Sequence, residues 1–308
     1  MTETPAGTAA TAATTGASAG AAAPAATAAP AATAAPEASP VPGDGPRPTV
    51  SVVLPALNEE ATVAGVVESV RPSLAAGIVD EIIVLDSDST DGTARRARDA
   101  GARVVKWREV LPDVPTRPGK GEALWRGVAA ARGDIVVFLD ADVRDPDPTF
   151  VPTLLAPLIA APERVRLVKG RYRRDAPGDV GGGRVTELTA RPLLAAFRPG
   201  LAGLRQPLSG EYAAYRDTLL QVPFAAGYGV EIGLLCDIAD RWGENSIEEV
   251  DLGVRRHRNR PLSDLGPMAV EVSATLLGRC GLAPATAGDL PEDRPPLATV
   301  LPGLSGAN

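Results

Sequence analysis

The sequence predicts an α/β fold: a mostly parallel, doubly wound sheet with its ligand site at the carboxyl ends of the strands. Two observations predict it. Short β-branched runs alternate with amphipathic stretches in the order strand, helix, strand, helix, strand, helix, strand. The polar clusters fall where the first, second and fourth strands end, at Asn58-Glu59, Asp86 to Asp91 and Asp140 to Asp142.

Each element has its own reason. Thr49 to Pro55 is a short β-branched run, as expected of a strand buried on both faces. Asn58 stands where a helix cap is expected, with Glu59 and Glu60 in a first turn that favours negative charge. Ala61, Val63, Val66, Val67 and Val70 form the apolar face, and Pro72 is expected to close the helix. Glu81 to Asp86 reads as the second strand, Thr93 to Ala100 as a helix ended by Gly101, and Arg103 to Val105 as a short third strand. Gly119-Lys120-Gly121 opens a helix through Ala131, closed by Gly133. Ile135 to Leu139 is the most hydrophobic strand and runs into Asp140-Ala141-Asp142.

The folded part is shorter than the 308 residues. Residues 1–47 hold 19 Ala, 8 Thr and 7 Pro and no aromatic. Such a stretch cannot bury enough apolar surface to offset an ordering cost of roughly 1–2 kcal/mol per residue. The expected organisation is a disordered Ala/Pro/Thr-rich tail over 1–48, a nucleotide-binding half over 49–165, an acceptor-binding half over 166–280, and a flexible tail over 281–308.

Composition excludes several classes. The net charge is −7, and setting aside the six acidic and two basic residues of the tails leaves −3. A near-neutral core argues against a nucleic-acid binder held by phosphate contacts. Cys236 and Cys280 form neither a C-x-x-C pair nor a disulfide framework, which fits a reducing compartment. No run of 18 apolar residues offers a membrane span, and the N-terminal tail lacks the basic start and Leu/Val-rich core of a signal peptide. A cytoplasmic protein follows. The turn after the first strand, Pro55-Ala56-Leu57-Asn58-Glu59-Glu60, has no glycine, so a G-x-G-x-x-G dinucleotide site is not supported; a phosphate-binding G-x-x-x-x-G-K-[ST] loop is also absent.

Asp140 and Asp142 are two apart after a buried strand, which on an extended chain puts both side chains on one side. One carboxylate can then hold Mg²⁺ or Mn²⁺, hard cations that bridge diphosphate oxygens, while the other takes a ligand hydroxyl or a metal-bound water.

Taken in order, Val53 to Glu60, Asp86 to Thr93, Gly119 to Leu124 and Phe138 to Asp142 resemble the motifs of GT-A nucleotide-sugar glycosyltransferases. Pro207 to Tyr212, Gly227 to Gly233, Val254 to Leu262 and Gly183 to Leu188 are similar to glucosyl-3-phosphoglycerate synthases, a retaining GT-A family numbered 81. The resemblance implies transfer of glucose from UDP-glucose to the 2-hydroxyl of D-3-phosphoglycerate by a homodimer. Carried over by position, Pro55, Leu57, Glu59 and Ser87 surround the nucleoside. Lys120 reaches the donor diphosphate or uridine, Asp140 the ribose or sugar, and Asp142 and His257 hold the metal. Gly183, Arg184, Val185, Thr186 and Asn259 take the acceptor.

The chemistry of these residues is compatible with the roles. A leaving diphosphate is stabilised by a metal and a cation, and Lys120 sits at a glycine-flanked helix start that favours anions. His257 lies within Arg255-Arg256-His257-Arg258-Asn259-Arg260, where neighbouring cations keep the imidazole neutral, as a ligand requires. The glycines at 181–183 and Thr186 can cradle a phosphate that Arg184 pairs with bidentately. Glu231 leads into a helix and is expected to be essential; whether it is a nucleophile or only orients substrates stays open. Arg166, Lys169, Arg171, Arg173 and Arg174 receive no individual place in the site. Asp88 departs from the family pattern, which often has glycine or asparagine there, and leaves the donor open between UDP-glucose and the GDP-mannose of mannosyl-3-phosphoglycerate synthases. A polyprenyl-phosphate glycosyltransferase requires an amphipathic or spanning C-terminal segment, which is not seen after Leu265. A non-catalytic nucleotide-sugar-binding module predicts loss of Asp142 and His257, and both are present.

Overall fold

In the computed structural model, residues 46–174, 183–255, 262–282 and 291–301 are described. They form a seven-stranded sheet: β1 (Val50–Ala56), β2 (Glu81–Asp86), β3 (Arg103–Lys106), β4 (Ile135–Phe138), β5 (Leu167–Arg174), β6 (Tyr212–Tyr215) and β7 (Ile247–Arg255). The order across the sheet is β3-β2-β1-β4-β6-β5-β7. All neighbours are parallel except β6, which runs antiparallel to both β4 and β5. Strands from 49–165 and from 166–280 therefore share one sheet.

The helices are α1 (Val63–Ala75), α2 (Thr93–Asp99), α3 (Lys120–Ala130), α4 (Phe150–Ala160), α5 (Arg191–Phe197), α6 (Arg216–Leu220), α7 (Val230–Trp242), α8 (Leu262–Arg279) and α9 (Leu297–Val300). Alternate residues of a strand point to opposite faces, so each central strand feeds two cores. Val52, Leu54, Ile82, Val84, Ile135 and Val137 pack against α1, α2 and α4. Val53, Ile83, Val136 and Phe138 pack against α3 and α7, with α5, α6, α8 and α9 on the same side. This is the doubly wound α/β arrangement that the alternation predicts.

Three local expectations are corrected. Asn58 does not cap α1. It adopts a left-handed φ of 58°, and its Oδ1 accepts the Thr90 N–H at 2.8 Å, so its short amide bridges two loops; Thr62 precedes the helix. Pro72 does not close α1 but sits in its last turns, where its carbonyl accepts the Ala76 N–H at 2.9 Å. The flexible tail expected over 281–308 does not hold for residues 291–301. Arg294 forms backbone bonds in both directions with Phe224, at 2.9 and 2.8 Å. Its guanidinium donates to the buried Glu122 carboxylate, and Leu297 is fully buried. The Pro- and Ala-rich composition conceals one cation with a buried partner.

Candidate active site

The carboxyl ends of β1 and β2 are stitched into one polar ledge. Ser87 N–H donates to Ala56 O at 2.9 Å and Asn58 N–H to Ser89 Oγ at 3.0 Å. Glu59 N–H donates to Thr93 Oγ1 at 2.8 Å, and Gly92 N–H to a Glu60 carboxylate oxygen at 3.0 Å. The expected donor residues are thereby brought together. Pro55 and Glu59 are half-buried, Ser87 is buried, and Leu57 presents an apolar side chain that is 55% exposed at the edge. Asp88, the departure from the family pattern, has φ 67° and pairs with Arg108 Nε at 2.5 Å. The nearby Trp107 indole N–H and the paired Arg108 guanidinium hold its carboxyl below the usual range.

Lys120 is the first residue of α3. The helix start can approach the Gly227–Gly229 turn because both sides lack Cβ atoms. A Cβ on Gly119, whose φ is +115°, would fall 2.9 Å from Gly227 Cα, and one on Gly121 would fall 1.9 Å from Ala225 O. That approach brings Lys120 Nζ to 2.7 Å from Glu231 Oε1, the second residue of α7. The contact is off the hydrogen-bonding axis, so Glu231 Oε1 is buried without an aligned donor. The same Nζ donates to Asp140 Oδ1 at 2.9 Å. Burial opposes the Lys120 charge, but Asp140 and Glu231 outweigh it and hold the ammonium well above the ordinary lysine range.

Asp140 and Asp142 do not share one side of an extended chain. The strand ends at Phe138 and the chain turns at Ala141-Asp142, so Asp140 is half-buried against Lys120 whereas Asp142 is exposed. Asp142 thus offers a hard carboxylate donor suited to Mg²⁺ or Mn²⁺. Among the described residues no group of three such ligands is assembled, and His257 and Asn259 lie outside the described residues. Gly183, Arg184, Val185 and Thr186 start the helical segment leading into α5; Arg184 is exposed, whereas Val185 and Thr186 are buried.

The sequence reading missed a second lysine. Lys169 in β5 is 1% exposed and donates to Ser209 O at 2.5 Å. Its Nζ lies 4.5 Å from the Tyr212 ring centroid. Gly210, next to Ser209, supports Asp140 from behind: a Cβ there would fall 2.3 Å from each carboxylate oxygen of Asp140. The one signal in the chain is a lysine inside the apolar run Leu167-Val168-Lys169-Gly170, where burial of an unpaired charge is costly.

The arrangement has counterparts in known proteins. Residues 51–216 match the model of glycosyl transferase family 2. A glucosyl-3-phosphoglycerate synthase of Mycolicibacterium paratuberculosis is 55% identical over 282 residues, covering 82% of this chain and 85% of its own. That of Mycobacterium tuberculosis is 59% identical over 248 residues, covering 78% and 76%. A crystal structure of the Mycobacterium tuberculosis glucosyl-3-phosphoglycerate synthase in complex with Mn²⁺, UDP-glucose and phosphoglyceric acid superposes with a TM-score of 0.76 at 55% identity, over 82% of this chain and 91% of that one. Another, with Mn²⁺, UDP and glucosyl-3-phosphoglycerate, gives 0.76 at 56% identity, over 82% and 92%. With a reversed strand in an otherwise parallel sheet and a lysine–carboxylate cluster at its edge, the chain belongs to the glucosyl-3-phosphoglycerate synthases and matches the glycosyl transferase family 2 model over residues 51–216.

Proposed function

We propose that this chain transfers glucose from UDP-glucose to 3-phosphoglycerate, releasing UDP and glucosyl-3-phosphoglycerate. The observation that carries the reading is Lys120 held between Asp140 and Glu231 at the strand ends, beside the Pro55–Glu59 and Ser87 ledge. The acceptor has a single free hydroxyl, on C2, so the new bond forms there. Leu57 and Pro55 give the base an apolar edge, and Ser87 and Glu59 line the polar ledge beside it. Lys120 supplies fixed positive charge where the leaving diphosphate gains negative charge, the moment at which such charge accelerates transfer. Asp140 orients Lys120 and takes a donor hydroxyl. Glu231, 2.7 Å from Lys120 Nζ, fixes that ammonium and orients the substrate hydroxyls beside it. Arg184 pairs with the acceptor phosphate, joined by the 183–186 backbone and Asn259. Asp142 and His257 would hold a divalent metal, which when bound acts as a Lewis acid on the donor diphosphate.

Retention at the anomeric carbon, a homodimeric assembly and a cytoplasmic location belong to the same proposal. They are supported by the family resemblance, and no described helix is long and apolar enough to cross a membrane. The test is direct. Purified protein with Mn²⁺ and UDP-glucose should release UDP only when D-3-phosphoglycerate is added, with GDP-mannose as the competing donor. Absence of acceptor-dependent nucleotide release with either donor overturns the reading. Asp142→Ala should abolish metal-dependent turnover, and full activity in that variant removes Asp142 from the metal site.

A further inference from the structure

Lys169 belongs to the transfer site although no motif contains it. Its side chain rises from β5, the sixth strand across the sheet, and its ammonium ends beneath the Ser209–Gly210–Glu211 turn. That turn is rigid. Glu211 N–H and the Ser209 hydroxyl bond within it, at 3.2 Å and at 3.1 Å to the Glu211 carboxylate, and Gly170 N–H ties it to β5 through Glu211 O at 2.8 Å. Its central residue, Gly210, is the surface on which the Asp140 carboxylate rests. Lys169, Ser209, Gly210, Asp140 and Lys120 therefore form one continuous chain of contacts ending at the proposed leaving group.

We propose that Lys169 is a positioning residue of the transfer site: its buried ammonium holds the 209–211 turn against Asp140 and adds a second positive charge to the cluster that Lys120 forms. The proposal rests on the transferase reading above. The charges that face Lys169 come from several elements: Glu231 on α7, Lys120 on α3, Glu211 before β6, and Asp140 after β4. The Tyr212 ring covers it, and its in-register neighbour on β7, Glu249, is engaged by the backbone N–H groups of Arg205 and Gln206. With Lys169 charged, two cations face three carboxylates. With it neutral, Lys120 alone faces these three carboxylates, and both donor and acceptor are anions.

The group is also poised to titrate. Burial, with Lys120 adding to it and Glu231, Glu211 and Asp140 opposing it, brings the Lys169 ammonium down to about 8. The charged form is the working form, so activity is complete below this value and is lost as pH rises through it. The specificity constant kcat/KM reports groups of the free enzyme, so it is the quantity to follow.

The experiment measures kcat/KM for 3-phosphoglycerate between pH 7 and 9, a range in which a phosphate monoester with a second pKa of about 6 is already dianionic. Wild type should lose activity with an apparent midpoint near pH 8. Lys169→Arg keeps its charge throughout and should retain activity to pH 9 without that limb. Lys169→Met should lose on the order of 10²-fold at pH 7, the scale of a misplaced catalytic group, chiefly in kcat. A lysine with a merely structural role would change thermal stability and leave the limb in place. Wild-type kcat/KM at pH 7 in Lys169→Met, or a limb unchanged in Lys169→Arg, overturns the proposal. If Lys169→Arg does not fold, the kcat and KM of Lys169→Met at pH 7 decide. Failure of the transferase reading is distinct: wild type then shows no acceptor-dependent UDP release at any pH.

Discussion

Lys120 is held by two carboxylates, Asp140 after β4 and Glu231 on α7, and its position depends on where those carboxylates can rest. Asp140 rests on Gly210, with no room for a methyl group between them. Gly210→Ala should therefore push the Asp140 carboxylate off Lys120 while leaving the core untouched. The expected outcome is a fall in kcat/KM on the order of 10²-fold, with little change in the thermal midpoint. A steady-state assay alongside a melting curve checks it; normal turnover in the variant means that Asp140 has a second resting place. Residues of this kind were hard to read in advance. Lys120, Asp140 and Glu231 stand in local motifs beside strand or helix ends, so their chemistry is visible from spacing. Gly210 and Lys169 act through β6, and neither residue's neighbours in sequence reveal the reversed pairing that brings them under Asp140.

At the level of elements, α3 carries the most buried charge. Glu122 accepts from Arg126 Nε at 2.6 Å and from Arg294 Nη2 at 2.9 Å. Arg126 also donates to the carbonyls of Trp107 and Val114, at 3.2 and 2.6 Å, gathering the 107–114 loop. Both guanidinium groups lie over the Trp125 ring, 5.8 and 5.1 Å from its centroid, and the indole N–H donates to Pro295 O at 2.9 Å. Two cations share one buried carboxylate, so removing either leaves polar groups without partners. Arg294→Met should destabilise the fold by about 3 kcal/mol, read as a shift in the denaturant midpoint. A change below about 0.5 kcal/mol, typical of an exposed pair, would show that the C-terminal segment merely lies on α3. Helix α3 itself was legible from its glycine-flanked start and apolar spacing. Its clamp was not, because Arg294 lies 172 residues from Glu122 and reads as one more tail charge.

Across the whole molecule, the proposed site residues span Pro55 to Asn259 within a chain of 308. Deleting residues 1–45 should leave kcat and KM within about twofold of the full chain, measured on both proteins side by side; a large loss would assign the Ala-rich stretch a role that its composition does not suggest. The doubly wound architecture was legible because β1, β2 and β4 are contiguous apolar runs, each with a polar cluster at its carboxyl end. The second half was less so, since β6 is only four residues long and takes its place in the sheet from Phe138 and Lys169, far away in the chain.

The reversal of β6 also bears on how the protein folds. A parallel strand contributes to the strand-end edge with the residues that follow it, whereas β6 contributes the residues that precede it, Ser209 to Glu211. Asp140 and Gly210 can meet only after the chain has left the edge at β4, built α4, β5 and α5, and returned. Closing so long an excursion costs loop entropy before any contact repays it. The donor ledge, made from Asn58 to Thr93, can form early from near neighbours. The transfer centre should be completed late, so that in refolding nucleotide binding precedes recovery of turnover.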